Sequence, residues 1–175
     1  HARRGEESRH NLAYWRYQDY TGIGPGAHGR RGGMATQRHR KPENFMSAVA
    51  RNMHGLQVED PLDTATQAME ALLMGLRLRE GVDIAALSDR FAIDSGDLID
   101  WTAVEKLEKL GFVAASPLPQ AGGGGGGPER SQARFARTSP SPSRLREGRI
   151  SVTPKGFPLL DAILPQIVAI EPAPD

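Results

Sequence analysis

The stretch Ser8–Gly29 reads SRHNLAYWRYQDYTGIGPGAHG and holds two His, three Tyr, a Trp, an Asn and four Gly. The whole chain has only three Tyr and two Trp, so its rigid amphipathic rings are concentrated here. Rings with polar tips followed by a glycine-rich turn suit a wall against a flat ligand better than a plain core strand. From His10 to Tyr20 the aromatic and β-prone residues predict an extended strand, with Leu12, Tyr14 and Arg16 on one face and Ala13, Trp15 and Tyr17 on the other. Glycines at alternating positions from Gly22 onward permit positive φ and close backbone approach to a ligand. Gly24, Gly26 and Gly29 also satisfy G-x-G-x-x-G, but Arg-Arg-Gly-Gly follows instead of an amphipathic helix, so the dinucleotide reading fails.

Working outward, the 175 residues suffice for one ordinary domain or a small domain with an appendage. Hydrophobic residues make up 38%, and Gly 20 with Pro 13 is high for a compact fold, so part of the chain is expected to be unstructured. The net charge of +1 hides an asymmetry. Residues 1–55 carry 10 Lys/Arg against 4 Asp/Glu, whereas residues 56–115 carry 5 against 12. A basic head beside an acidic middle predicts mutual attraction or different partners. Cysteine is absent, which excludes disulfides, thiolate metal sites and any iron–sulfur cluster ligated from this chain. No apolar run approaches the roughly 18 residues that span a bilayer. The first residues lack the apolar centre of a signal peptide. The abrupt start at His1 reads as the later part of a larger, cytoplasmic protein.

Residues 1–9 and the basic stretch 30–41 read as loops. A helix is expected over Pro42–Met53, where Phe45, Val49 and Met53 recur every four residues. Asp60-Pro61 predicts the start of the next helix, with Ala65, Met69, Leu72, Leu73 and Leu76 on its apolar face and Arg77 and Arg79 in its last turn. A short helix follows Asp83, with Ile84, Leu87 and Phe91 inward. A third runs from about Gly96 to Leu110 after a cap near Ser95 and stops at Gly111. Phe112–Ala115 and Arg149–Thr153 are strand candidates. Between them, residues 117–148 include six consecutive glycines and SPSPS, and read as a flexible insertion. A closing helix around Phe157–Ile167 must be displaced or kinked by Pro158 and Pro165. Three helices, two strands and a closing helix describe a winged-helix-like domain over 56–116 plus 149–170.

A winged helix suggests DNA reading, yet the expected recognition helix carries Asp97, Asp100, Glu105 and Glu108 against Lys106 and Lys109. Such a helix would be repelled by phosphate, so no nucleic acid is expected and a docking role fits better. Among the five His, no pair has the i, i+4 spacing of a zinc site. His10 stands apart because Asn11, Tyr14 and Trp15 surround it in sequence. An imidazole beside flat rings could ligate a haem iron while the rings cover the porphyrin; ordinary strand packing is the plainer alternative.

At these residues the sequence resembles a known family. SRHNLAYWRYQDYTGIGPGAHG is similar to the segment that ends the radical S-adenosylmethionine barrel in the oxygen-independent coproporphyrinogen III oxidase-like proteins, and most closely to their haem-chaperone branch. LLMGLRLREGVDIAAL, LEKLGFV and ISVTPKGFPLLDAILP resemble that family's C-terminal domain in the same order. The resemblance implies an α+β chain: the end of a radical SAM (β/α) barrel over residues 1–55, then a mainly helical winged-helix-like domain. It implies a fragment of a haem chaperone that binds haem and delivers it to haem-accepting apoproteins. By the family's HNxxYW motif, His10, Asn11, Tyr14 and Trp15 are the haem-binding residues, with His10 the metal ligand. Gly22, Gly24 and Gly26 would contact S-adenosylmethionine. The family's cluster cysteines are missing, so S-adenosylmethionine and 4Fe-4S chemistry are expected only with the missing N-terminal barrel. The alternatives are a fragment of the oxidase itself, and a winged-helix interaction or DNA-binding protein.

Overall fold

The structure, a computed structural model, describes residues 5–116 and 148–169. It is α+β, as expected. The first element is a helix rather than a strand: α1 spans Arg9–Trp15. Ser8 caps it, its side chain accepting from the Asn11 N–H, and Leu12 and Ala13 sit in its middle. Its end is a Schellman turn, in which the Tyr17 and Gln18 N–H groups donate to the carbonyls of Tyr14 and Ala13. Tyr17 takes the left-handed position there, at φ 53°. A cap and a C-terminal turn therefore outweigh the β-preference of three aromatic residues, and the alternating faces expected for Leu12–Tyr17 do not form.

The basic stretch expected as a loop is a hairpin. Strands β1 (His28–Arg31) and β2 (Met34–Arg38) pair antiparallel from His28↔Gln37 to Arg31↔Met34. Gly32 and Gly33 form the two-residue connection, both with positive φ, as a hairpin turn of this length requires. Helix α2 (Pro42–Asn52) lies where it was expected, with Pro42 at its first position. A further strand, β3 (Leu56–Pro61), pairs antiparallel with β2 and completes the sheet order β1-β2-β3. Strands of a (β/α) barrel run parallel; these do not.

Because Pro61 belongs to β3, the expected helix start moves. Helix α3 is Thr64–Gly75, capped by Asp63, whose carboxylate accepts from the Thr66 N–H and hydroxyl at 2.8 and 2.7 Å. These bonds, the backbone one first, hold the Asp63 carboxyl below its ordinary range. Its buried face is Ala68, Ala71, Leu72 and Gly75, continuing to Leu76; Met69 and Leu73 pack on the flank, and Arg77 lies beyond the helix end. Gly75 is part of that face because a Cβ there would run into the Val82 side chain.

Val82–Asp83 is β4, and Asp83 caps α4 (Ile84–Phe91), whose Ile84, Leu87 and Phe91 are buried as expected. The expected third helix is two. After α5 (Ser95–Leu98) the chain is extended at Ile99, and α6 (Trp101–Lys109) starts from a new cap at Asp100. The break serves pairing: the Asp100 N–H donates to the Ile167 carbonyl at 2.8 Å and the Ala169 N–H to that of Leu98 at 2.9 Å. Gly111, at φ 76°, stops α6 as expected. Strands β5 (Val113–Ser116) and β6 (Arg149–Val152) pair antiparallel, and β4 adds to the other edge of β6. The expected insertion, apart from Gly148, lies outside the described residues. A 3-10 turn at Phe157–Leu159 accommodates Pro158 and leads into α7 (Leu160–Ile167), which contains Pro165. The core lies between α3, α4, α6, α7 and the β4-β6-β5 sheet. Among the described residues no helix is long and apolar enough to cross a membrane.

Candidate functional site

Helix α1 gathers all four residues of the HNLAYW motif on about one and a half turns. Helical spacing pairs His10 with Tyr14 and Asn11 with Trp15, each one turn apart. The His10 ring meets Tyr14 edge-on, with centroids 4.7 Å apart and planes at 89°. Tyr14 continues against Tyr20 at 4.1 Å. His10 and Asn11 are exposed, while Tyr14 and Trp15 are half-buried. The result is an open aromatic ledge with an imidazole at its outer end. A strand would have placed Tyr14 and Trp15 on opposite faces; the helix puts His10 over Tyr14. Burial raises the Tyr20 hydroxyl pKa, partly opposed by the nearby Arg30, which keeps this end of the ledge neutral.

Among the described residues no three His, Asp or Glu side chains converge as a metal site. One exposed imidazole beside flat rings is a donor set that fits a haem, whose iron takes four ligands from the porphyrin and needs only an axial one from protein. A 4Fe-4S cluster does not fit this chain, which has no thiolate to offer.

The glycine turn is largely occupied with the chain's own packing. Residues Tyr20 and Arg30 bridge, each N–H donating to the other's carbonyl, so the segment leading to Gly22 runs antiparallel beside β1. A Cβ at Gly22 would collide with the His28 carbonyl. Gly26 donates its N–H to the His39 carbonyl at 2.9 Å, whereas Gly24, at φ 94°, faces open space.

Two features were missed by the sequence reading. A cavity of about 350 Å³ opens beside α2, lined by Gln37, His39, Arg40, Lys41, Asn44 and Gln57. None of the expected site residues lines it. The second is a buried aromatic and ionic cluster behind α1. Arg30, only 7% exposed, lays its guanidinium 3.4 Å above the Tyr17 ring and reaches Glu70 at 3.5 Å. Tyr17, 3% exposed, donates its hydroxyl to Glu70 Oε2 at 2.6 Å. Burial above all, then the Glu70 bond, pushes the Tyr17 pKa far up. The Gly32-Gly33 signal was the available clue: a hairpin centred there makes Arg30 and Arg31 alternate inward and outward.

Residues 62–117 match the family model of the HemN C-terminal domain. Over these residues the chain is similar to that domain. The chain is 32% identical over 109 residues to the haem chaperone HemW of Bacillus subtilis, covering 62% of this chain and 28% of that protein. It is 39% identical over 89 residues to the mitochondrial radical S-adenosyl methionine domain-containing protein 1 of Mus musculus, covering 46% of this chain and 20% of the relative. The chain thus spans between a fifth and a third of these relatives' length. In three dimensions it is similar to coproporphyrinogen III oxidase HemN from Escherichia coli, a radical SAM enzyme. That TM-score is 0.56 at 16% identity, covering 85% of this chain and 28% of that one. At that identity the likeness speaks to fold alone.

Proposed function

We propose that this chain contributes the haem contact of a haem chaperone, with His10 as axial ligand or direct contact to haem as cargo. The observation that carries the reading is the α1 ledge. It offers an exposed imidazole and half-buried Tyr14 and Trp15, in a chain related to HemW. Neutral imidazole donates a nitrogen lone pair to iron, while the rings of Tyr14 and Trp15 cover porphyrin surface and exclude water from that face. Asn11, one turn before Trp15, supplies an amide that can bond to a polar edge of the cargo. Haem bound by a single exposed ligand stays accessible to an acceptor apoprotein, which suits delivery rather than retention.

In this reading residues 1–55 connect to the radical SAM barrel of the longer relatives. Gly24, at positive φ with open space where a Cβ would stand, is the glycine best placed to approach S-adenosylmethionine there. Helices α3 to α6 followed by the β5–β6 hairpin support a winged-helix-like domain over 56–116 and 149–170 that docks protein rather than DNA. Radical chemistry requires the cluster cysteines that this chain lacks.

Titrating hemin into the full chain tests the assignment. A Soret shift is expected, and His10→Ala should weaken hemin binding at least about tenfold, about 1.4 kcal/mol. An unchanged Soret band and affinity in His10→Ala would remove His10 from the site.

A further inference from the structure

We infer that Tyr17, Arg30 and Glu70 are positioning residues that seat α1 on the helical domain and so set where the His10 ledge points. The starting observation is that α1 has no buried residue of its own. A helix of seven residues is marginal in isolation, so something outside it must hold it. Arg16 pairs with Glu80 at 3.1 Å, but both side chains are about half exposed, and such pairs contribute little. Leu12, Ala13, Tyr14 and Trp15 are only half-buried; the fully buried anchor is Tyr17, two residues past the helix end and the one member of the core cluster that precedes residue 62.

Tyr17 is gripped on every side. Its hydroxyl donates to Glu70 on α3, and its carbonyl accepts from Arg90 Nη2 at 2.9 Å on α4. Its ring lies 6.0 Å from that of Phe91, edge to face, with Arg30 of β1 stacked on it. Arg30 also donates from Nη2 to the Gln18 carbonyl at 3.3 Å, tying the turn after α1 to the sheet. Three elements, α3, α4 and β1, therefore converge on this one residue.

The arrangement carries costs that simple packing would avoid. A non-glycine residue in the left-handed region costs about 1 kcal/mol or more. Arg30 Nε is buried without a partner. An apolar side chain at position 17 would fill the space but could not fix direction, because dispersion contacts are not directional. The hydroxyl–carboxylate bond and the stacked guanidinium do fix it. A small turn of Tyr17 would swing α1, and His10 with it, against the sheet.

The seating does not depend on the haem reading; its consequence for cargo does. The test uses the full chain with Trp101→Phe, which leaves Trp15 on α1 as the sole tryptophan. Tyr17→Phe and Glu70→Leu should each shift Trp15 emission to the red. They should also speed tryptic cleavage after Arg16 by roughly tenfold, as expected for easier local opening. Far-UV circular dichroism should keep the helical domain's signal. Glu70→Gln, whose amide oxygen still accepts from Tyr17, should lie closer to the parent than Glu70→Leu. Unchanged emission and cleavage in Tyr17→Phe, the variant least able to disturb folding, would overturn the seating. Hemin titration of the same variants should show affinity falling several-fold. Released α1 with unchanged hemin affinity would overturn the positioning role. If instead His10→Ala has no effect on hemin, the haem reading fails while the Trp15 measurements still decide the seat.

Discussion

Residues 9–61 and residues 62–116 with 148–169 solve the problem of holding a chain together in different ways. The second region buries Leu72, Leu76, Ile84, Leu98, Ile99, Val104, Ile150 and Ile167 almost completely, in one cluster shared by helices and sheet. In the first, the buried hydrophobic residues are Tyr17 and Ala48. Its order comes from the β1-β2-β3 ladder, from glycines that let backbone approach backbone closely, and from the Tyr17 anchor. Amphipathic α2 leaves Met46, Val49 and Met53 on the surface. Burial makes the second region cooperative, whereas the first is a set of local structures pinned to it. The motif proposed to meet haem lies in the pinned region, where small energies suffice to move an element.

The contrast predicts unequal responses to the same kind of substitution. Leu72→Ala, at a site with no exposure, should cost about 2–5 kcal/mol by urea unfolding. Val49→Ala on α2, already 37% exposed, should cost less than about 0.5 kcal/mol. Similar losses for the two would mean that the first region shares the core after all.

The same contrast explains what could be read from the sequence. Helix α4 was legible because Asp83, Ile84, Leu87 and Phe91 state a cap and an apolar stripe in nine residues. Gly111, β5 and β6 were legible for similar reasons. The α5–α6 break was not, because Ile99 satisfies a helical stripe equally well; its reason is the pairing with Val168, almost seventy residues away. Helix α1 was missed because three aromatic residues suggest a strand, while Ser8 and the turn at Tyr17 decide otherwise. The HNLAYW residues were identified through family resemblance, and only the helix brings the His10 and Tyr14 rings into contact, one turn apart. Arg30 carried no signal of its own: a buried guanidinium and a solvated one look alike in sequence.

The Tyr17 cluster bears on alkaline stability. An ordinary tyrosine titrates near pH 10, and Tyr17 is held well above that by burial and by Glu70, with Arg30 and Arg90 opposing. The folded state keeps its proton after the unfolded state has lost it. The stabilisation is therefore complete below about pH 10 and declines as pH rises above it toward the folded value. Urea midpoints should fall above pH 10, and Tyr17→Phe should flatten that decline while lowering the midpoint at neutral pH. Ultraviolet titration should show one tyrosine ionising last. An equally steep alkaline decline in Tyr17→Phe would assign it to other groups and weaken the case for Tyr17 as the anchor.

The smallest expected effects separate the regions most cleanly. Met53 ends α2 and Ala92 ends α4, both in the left-handed conformation at φ 64° and 50°, and both are exposed. Glycine relieves the strain of that conformation, at some cost in unfolded-chain entropy, so each substitution should gain about 0.5–1 kcal/mol locally. At Ala92 the helix is part of the shared core, so the gain should appear in the global urea midpoint. At Met53 the helix opens without unfolding that core. Its gain should appear as slower amide exchange within Pro42–Asn52, with the global midpoint unmoved. A global gain from Met53→Gly equal to that from Ala92→Gly would show that α2 unfolds only with the core, and the two regions would then be one cooperative unit.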